Sequence, residues 1–216
     1  MRHPSARILV FAKAPVAGAV KTRLIPALGA AGAARLHTRL VRRTIARVSA
    51  CGLAPLELHV APDGQHPLFQ SLAGAGVPLI AQRGRDLGER MHAALATALT
   101  TAEFALLIGT DCPALDCACL AHACDALAAG RPAVLGPAED GGYVLVGLRR
   151  PAATLFTGID WGGPQVLTQT RRRLAELGWE ATELPTLWDL DRPADLERLE
   201  PAERAALCAE ETGSEI

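Results

Sequence analysis

Three cations and four carboxylates are spaced along this chain so that together they could handle a phosphate. Lys13, Lys21 and Arg23 lie in the stretch Phe11-Ala-Lys-Ala-Pro-Val-Ala-Gly-Ala-Val-Lys-Thr-Arg-Leu24, directly after the apolar run Ile8–Phe11. A strand that breaks into a Pro/Gly loop and then enters a helix leaves backbone N–H groups free for an anion. Here that loop runs from Ala12 through Lys13, Ala14, Pro15 and Gly18. The lysines add point charge, and Arg23 adds a planar fork that can take two phosphate oxygens. Alone, the loop reads equally well as basic surface. A Walker A motif needs Gly directly before Lys-Thr and another Gly about five positions earlier. Those positions are Val20 and Pro15, and no Gly-x-Gly-x-x-Gly follows the first strand either.

The carboxylates fall where open α/β sheets bind ligands, beyond the carboxyl ends of strands. Asp111 follows the apolar run Ala105–Ile108 and suits a hard divalent cation. Asp140 precedes Gly141 and Gly142, which let a ligand approach the backbone. Asp189 and Asp191 flank Leu190, so an extended chain points both the same way. Each has a plainer reading. Asp111 could cap the turn into the next helix, Asp140 is a good turn residue, and Asp191 could shape the helix that begins at Pro193. Asp195 reads as a helix-dipole partner. The segment Gly84-Arg-Asp-Leu-Gly-Glu-Arg-Met91 adds Arg85, Gly88 and Arg90 as candidates for contact with a base or diphosphate.

The elements that must position these groups alternate. Strand patterns cover 8–12, 56–61, 77–81, 104–109, 133–136, 143–148 and 181–184; helical patterns cover 30–50, 67–73, 86–102, 115–129 and 164–177. Two short helices close the chain. The pattern implies a layered α/β fold with a mainly parallel sheet, and the Asp-Gly-Gly turn introduces a hairpin in the second half. Arg35, Arg39, Arg43 and Arg47 form an i, i+4 row that reads as a solvated helix face. The 216 residues suit one domain, spanning 1–216 with 210–216 as a frayed tail.

Composition narrows the partners. A formal net charge of −1 provides no basic field for nucleic acid or membrane. There is no signal-peptide pattern and no apolar run near the ~20 residues of a membrane span, so a cytoplasmic protein is the default. Cys112, Cys117, Cys119 and Cys124 cluster without a Cys-x-x-Cys pair, with Cys51 and Cys208 far away. Buried thiols explain them better than a metal or redox site.

Together these segments resemble the DUF2064 family of glycosyltransferase-like proteins, also called rSAM/selenodomain-associated transferases. The resemblance is carried by Phe11-Ala-Lys-Ala-Pro with Lys21-Thr-Arg-Leu24, Asp86-Leu-Gly-Glu-Arg-Met91, Gly109-Thr-Asp-Cys-Pro113, Leu135-Gly-Pro-Ala-Glu-Asp-Gly-Gly-Tyr143 and Asp189-Leu-Asp-Arg-Pro-Ala-Asp-Leu196. It implies a GT-A-type nucleotide-diphospho-sugar transferase fold, Rossmann-like with three α/β/α layers and a mainly parallel mixed sheet. It further implies nucleotide phosphates on Lys13, Lys21 and Arg23 near Thr110, and magnesium or manganese on Asp111 with Asp191, which it favours over Asp189. Asp140, Gly141, Gly142 and Trp161 would then line the acceptor side. The chain departs from the family at Trp161-Gly162-Gly163, where Trp-Ser-Thr is usual, and at Arg192, where the late turn carries Thr.

The implied activity is metal-dependent glycosyl transfer from a nucleotide-sugar to a small-molecule acceptor, with Lys21, Arg23, Asp111 and Asp140 catalytic. Nucleotidylyl transfer to a phosphorylated acceptor, with pyrophosphate release, is the alternative. Nucleotide binding without turnover, as a regulatory partner, is a third reading. A P-loop hydrolase fails on the Walker A spacing.

Overall fold

A computed structural model describes residues 1–209, so the tail at 210–216 lies outside the described residues. The elements follow the alternation in order: β1 (Arg7–Lys13), α1 (Ile25–Cys51), β2 (Leu56–Ala61), α2 (Pro67–Gly74), β3 (Leu79–Ala81), α3 (Leu87–Ala98) and β4 (Ala105–Ile108). Then come α4 (Cys117–Ala128), β5 (Ala133–Pro137), β6 (Tyr143–Leu148), α5 (Val166–Glu176), β7 (Ala181–Glu183), α6 (Pro193–Leu196) and α7 (Pro201–Cys208).

The seven strands form one sheet in the order β3-β2-β1-β4-β6-β5-β7. Every pairing is parallel except those of β6, which runs antiparallel to both β4 and β5. The β5–β6 hairpin turns at Asp140-Gly-Gly142, where the turn chemistry calls for it: Asp140 Oδ1 accepts from the Gly142 N–H at 2.9 Å. The sheet is therefore mixed but mainly parallel.

Side-chain alternation along β1 divides the core into two layers. Ile8, Val10 and Ala12 join the α1, α2 and α4 side, while Leu9 and Phe11 join the α3 and α5 side. A strand buried on both faces reads as a continuous apolar run, and β1 does. Asp116 and Asp86 cap α4 and α3, accepting from the N–H groups of Cys119 and Glu89 at 2.8 Å each. Asp111 is thereby freed from the capping role.

A third apolar cluster joins Leu24, Leu36 and Leu40 to Leu190, Leu196, Leu199 and Leu207. It packs the two C-terminal helices against the first half of α1. The arginine row of α1 takes part, so it is not the solvated face its periodicity suggests. Arg39 donates to Leu207 O at 3.0 Å, Arg43 pairs with Glu203, and Arg47 donates to Pro113 O at 2.9 Å.

The cysteines also depart from expectation. Cys51 and Cys117 form a disulfide between the end of α1 and the start of α4, with Cα atoms 5.6 Å apart. Helix packing brings together two cysteines 66 positions apart, a pairing that sequence distance hides. Cys112 and Cys124 are buried free thiols, as expected. Among the described residues no helix is long and apolar enough to cross a membrane.

Candidate functional site

The sheet order reverses beside β1, with β2 on one flank and β4 on the other. Such a switch point opens a crevice at the carboxyl ends of the strands. A cleft of about 700 Å³ lies there, lined by Ala12, Lys13, Lys21, Arg23, Arg85, Arg90, Thr110, Asp111 and Asp191 among the expected residues. A second cleft of about 280 Å³ is lined by Asp140, Asp189 and Asp191, with Arg23, Glu139 and Arg198. The two share Arg23 and Asp191, which are joined by an ion pair of 2.6 Å.

Lys21 is the least expected of these groups. Its backbone is left-handed (φ 47°, ψ 42°), its side chain is only 2 % exposed, and its ammonium faces two carboxylates. Nζ donates to Leu190 O at 2.6 Å and lies 3.0 Å from Asp111 Oδ1 and 4.0 Å from Asp191 Oδ1. It therefore pins three loops together. Lys13, by contrast, is exposed at the rim of the cleft.

Asp111 has one buried oxygen, Oδ1, without a well-formed hydrogen bond, while the carboxylate as a whole still opens to the cleft. Burial pushes its pKa up, but the Lys21 charge and His37 outweigh that and hold it well below the usual carboxylate range. His37, on α1, is buried; Nε2 meets Lys13 O at 3.1 Å and Nδ1 faces Asp111 Oδ1 at 3.7 Å. Asp189 has the opposite balance. Burial, and then the charges of Asp111 and Asp140, push its carboxyl up to about 7. Asp195 accepts from the N–H groups of Asp191 and Arg192, so it shapes this turn in place of Asp191.

Several expected residues lie elsewhere. Ala14, Pro15 and Gly18 line neither cleft, and Ala14 N donates to Ala61 O at 2.7 Å. Gly88 is buried against Trp161, where a Cβ would come within 2.5 Å of the indole Nε1. Trp161, half-buried, in turn stacks on Phe156 and meets Tyr143 edge-on against the apolar layer, and neither it nor Gly88 lines either cleft. Gly141 has φ +89°, and a Cβ there would sit 2.1 Å from Pro164 O. Its freedom serves that close packing. Gly142 closes the turn through Asp140.

Sequence reasoning passed over His37, Gln82 and Arg198. A single histidine on an apolar helix face carries no spacing signal. Gln82 donates to His59 O at 2.9 Å and lines the larger cleft. Arg198 forks onto Glu139 at 2.6 and 2.8 Å and lies over the Trp188 ring.

The model of DUF2064, described as an uncharacterized protein conserved in bacteria, matches residues 44–163, more than half of the chain. The chain belongs to the DUF2064 family. It is similar to a crystal structure of a protein from Desulfovibrio desulfuricans G20 assigned as a nucleotide-diphospho-sugar transferase. That match has 31% identity and a TM-score of 0.81, covering 88% of this chain and 83% of the other. CMP:2-keto-3-deoxy-manno-octonic acid synthetase complexed with CTP shares the fold at 13% identity and TM-score 0.58, covering 94% and 98%. Rv0371c from Mycobacterium tuberculosis H37Rv, in complex with manganese, shares it at 18% and 0.53, covering 90% and 97%. No curated protein matches the chain. The expected nucleotide-diphospho-sugar transferase fold thus stands for this DUF2064 chain.

Proposed function

We propose that the protein is a transferase drawing on an activated nucleotide, and that it moves a glycosyl group from a nucleotide-diphospho-sugar to a small hydroxylated acceptor. One observation carries this reading: two unlike clefts meet at Arg23 and Asp191. The larger holds Lys13, Arg23, Arg85 and Arg90, which suits a diphosphate; the smaller is rich in carboxylates, which suits hydroxyl groups. The 31% identical relative, itself assigned as a nucleotide-diphospho-sugar transferase, supports the donor class.

The residues also fit a divalent cation. Asp111 and Asp191 offer only hard oxygen ligands, both lie within 4.0 Å of the Lys21 ammonium, and Asp111 Oδ1 is buried without a hydrogen-bond partner. Among the described residues no group of three ligands is preassembled. That suits an ion completed by phosphate oxygens, as magnesium sites commonly are. Magnesium or manganese held there would supply charge neutralisation for the diphosphate.

The chain's own groups perform the remaining work. Lys13 and the Arg23 fork bind and orient the phosphates, and Arg23 stabilises charge on the departing nucleotide. Asp140 keeps Oδ1 on the turn, leaving Oδ2 to orient an acceptor hydroxyl and take its proton.

Nucleotidylyl transfer is the second reading, favoured by Arg192, an exposed cation in the smaller cleft that a phosphorylated acceptor would meet. Incubation with nucleotide-sugars, and separately with nucleoside triphosphates and phosphorylated acceptors, tests both. Release of a nucleoside diphosphate from the sugar donor is expected. Pyrophosphate release instead would establish the second reading, and nucleotide binding without either product would leave a regulatory role.

A further inference from the structure

The point between Asp111 and Asp191, where a divalent cation would bind, already holds a positive charge. The Lys21 ammonium donates to Leu190 O at 2.6 Å and lies 3.0 Å from Asp111 Oδ1 and 4.0 Å from Asp191 Oδ1 as their counter-charge. In this arrangement the ammonium is buried between Leu190 O and the carboxylates. A second cation sharing Asp111 Oδ1 with the ammonium would be repelled by it at close range.

The composition sharpens the point. Of the 22 cationic residues only Lys13 and Lys21 are lysine; every other one is arginine. Arginine is a planar fork suited to fixed pairs, whereas lysine is a compact charge on a flexible stem. This chain keeps its two lysines at the one place where a charge must either fit a tight gap or move. Lys21 also lines the larger cleft, so the stem can swing its ammonium from the carboxylates toward a bound phosphate.

We propose that Lys21 is the resident cation of the metal-free site, and that a divalent cation binds by displacing it from Asp111. The ammonium is thereby released into the nucleotide cleft. Metal arrival and phosphate-binding charge become one event, and before it Lys21 keeps Asp111 neutralised. This rests on the cation site proposed above and goes beyond it by giving Lys21 two positions.

With only two lysines, the experiment is direct. Metal-free full-length protein is exposed briefly to a dilute lysine-acetylating reagent, with and without manganese alone, and both lysines are quantified by peptide mass spectrometry. Lys13, exposed in either state, is the internal standard. Without metal, Lys21 should be protected; with manganese its reactivity relative to Lys13 should rise by about tenfold or more, as loss of a buried ion pair implies. Manganese binding is read independently from the loss of free-ion electron paramagnetic resonance signal. If manganese binds while Lys21 stays protected, displacement is wrong. If manganese does not bind at all, the cation site itself is wrong. Lys21→Met, where it folds, removes the competitor and should bind manganese about tenfold more tightly without nucleotide; equal or weaker binding overturns the proposal.

Discussion

At the scale of single residues, two aspartates in one site respond to pH in opposite directions. Asp111 is held low by Lys21 and His37 against the effect of burial, so it contributes stability at neutral pH that is lost on acidification below the ordinary carboxylate range. Burial and the neighbouring carboxylates push the Asp189 carboxyl up to about 7 in the folded protein, whereas an unfolded aspartate ionises at about 3.9. Between those values the native state keeps a proton that the unfolded chain has lost. Stability should therefore fall as pH rises from about 4 to about 7, and stay low above that. Asp189→Asn should flatten this slope and raise the melting temperature at pH 8, by about 2–4 °C for each kcal/mol relieved. Thermal melts of both proteins across pH check it. Asp111→Asn should abolish manganese-dependent nucleotide binding, measured by calorimetry with and without the ion. The cations and carboxylates were legible because their types and their positions after strands carry the chemistry. The engagement of Lys21 was not, because burial depends on where residues 187–191 return in space.

At the scale of elements, the strand and helix pattern translated almost directly into structure, since β1 is apolar from Ile8 to Ala12 and α3 and α4 begin after Asp86 and Asp116, both good caps. What sequence reasoning misjudged was the purpose of small residues. Gly88 and Gly141 looked like openings for a ligand, and instead they admit Trp161 and Pro164. Periodicity cannot distinguish these, because both uses require only the absence of a side chain. Gly141→Ala meets a carbonyl oxygen from a left-handed backbone and should cost about 2–3 kcal/mol in urea unfolding. Asp116→Ala, which removes only a cap, should cost about 1 kcal/mol.

At the scale of the whole molecule, long-range closures that no local pattern announces hold the layers in place. The Cys51–Cys117 disulfide joins α1 to α4. Alkylation of the denatured chain without reductant should label four cysteines, and all six after reduction, as read by intact mass. The arginine row adds further ties to the carbonyls of Leu207 and Pro113.

The third apolar cluster extends this dependence to the chemistry. Leu190 is buried among Leu36, Leu196 and Leu207, and its N–H donates to Asp111 O at 2.8 Å while its carbonyl receives Lys21. The two terminal helices act as a buttress behind the carboxylates, although they contribute no strand to the sheet. A chain cut just before Pro193 would retain all seven strands and both main layers, yet the wall that sets Asp191 opposite Asp111 would have lost its backing.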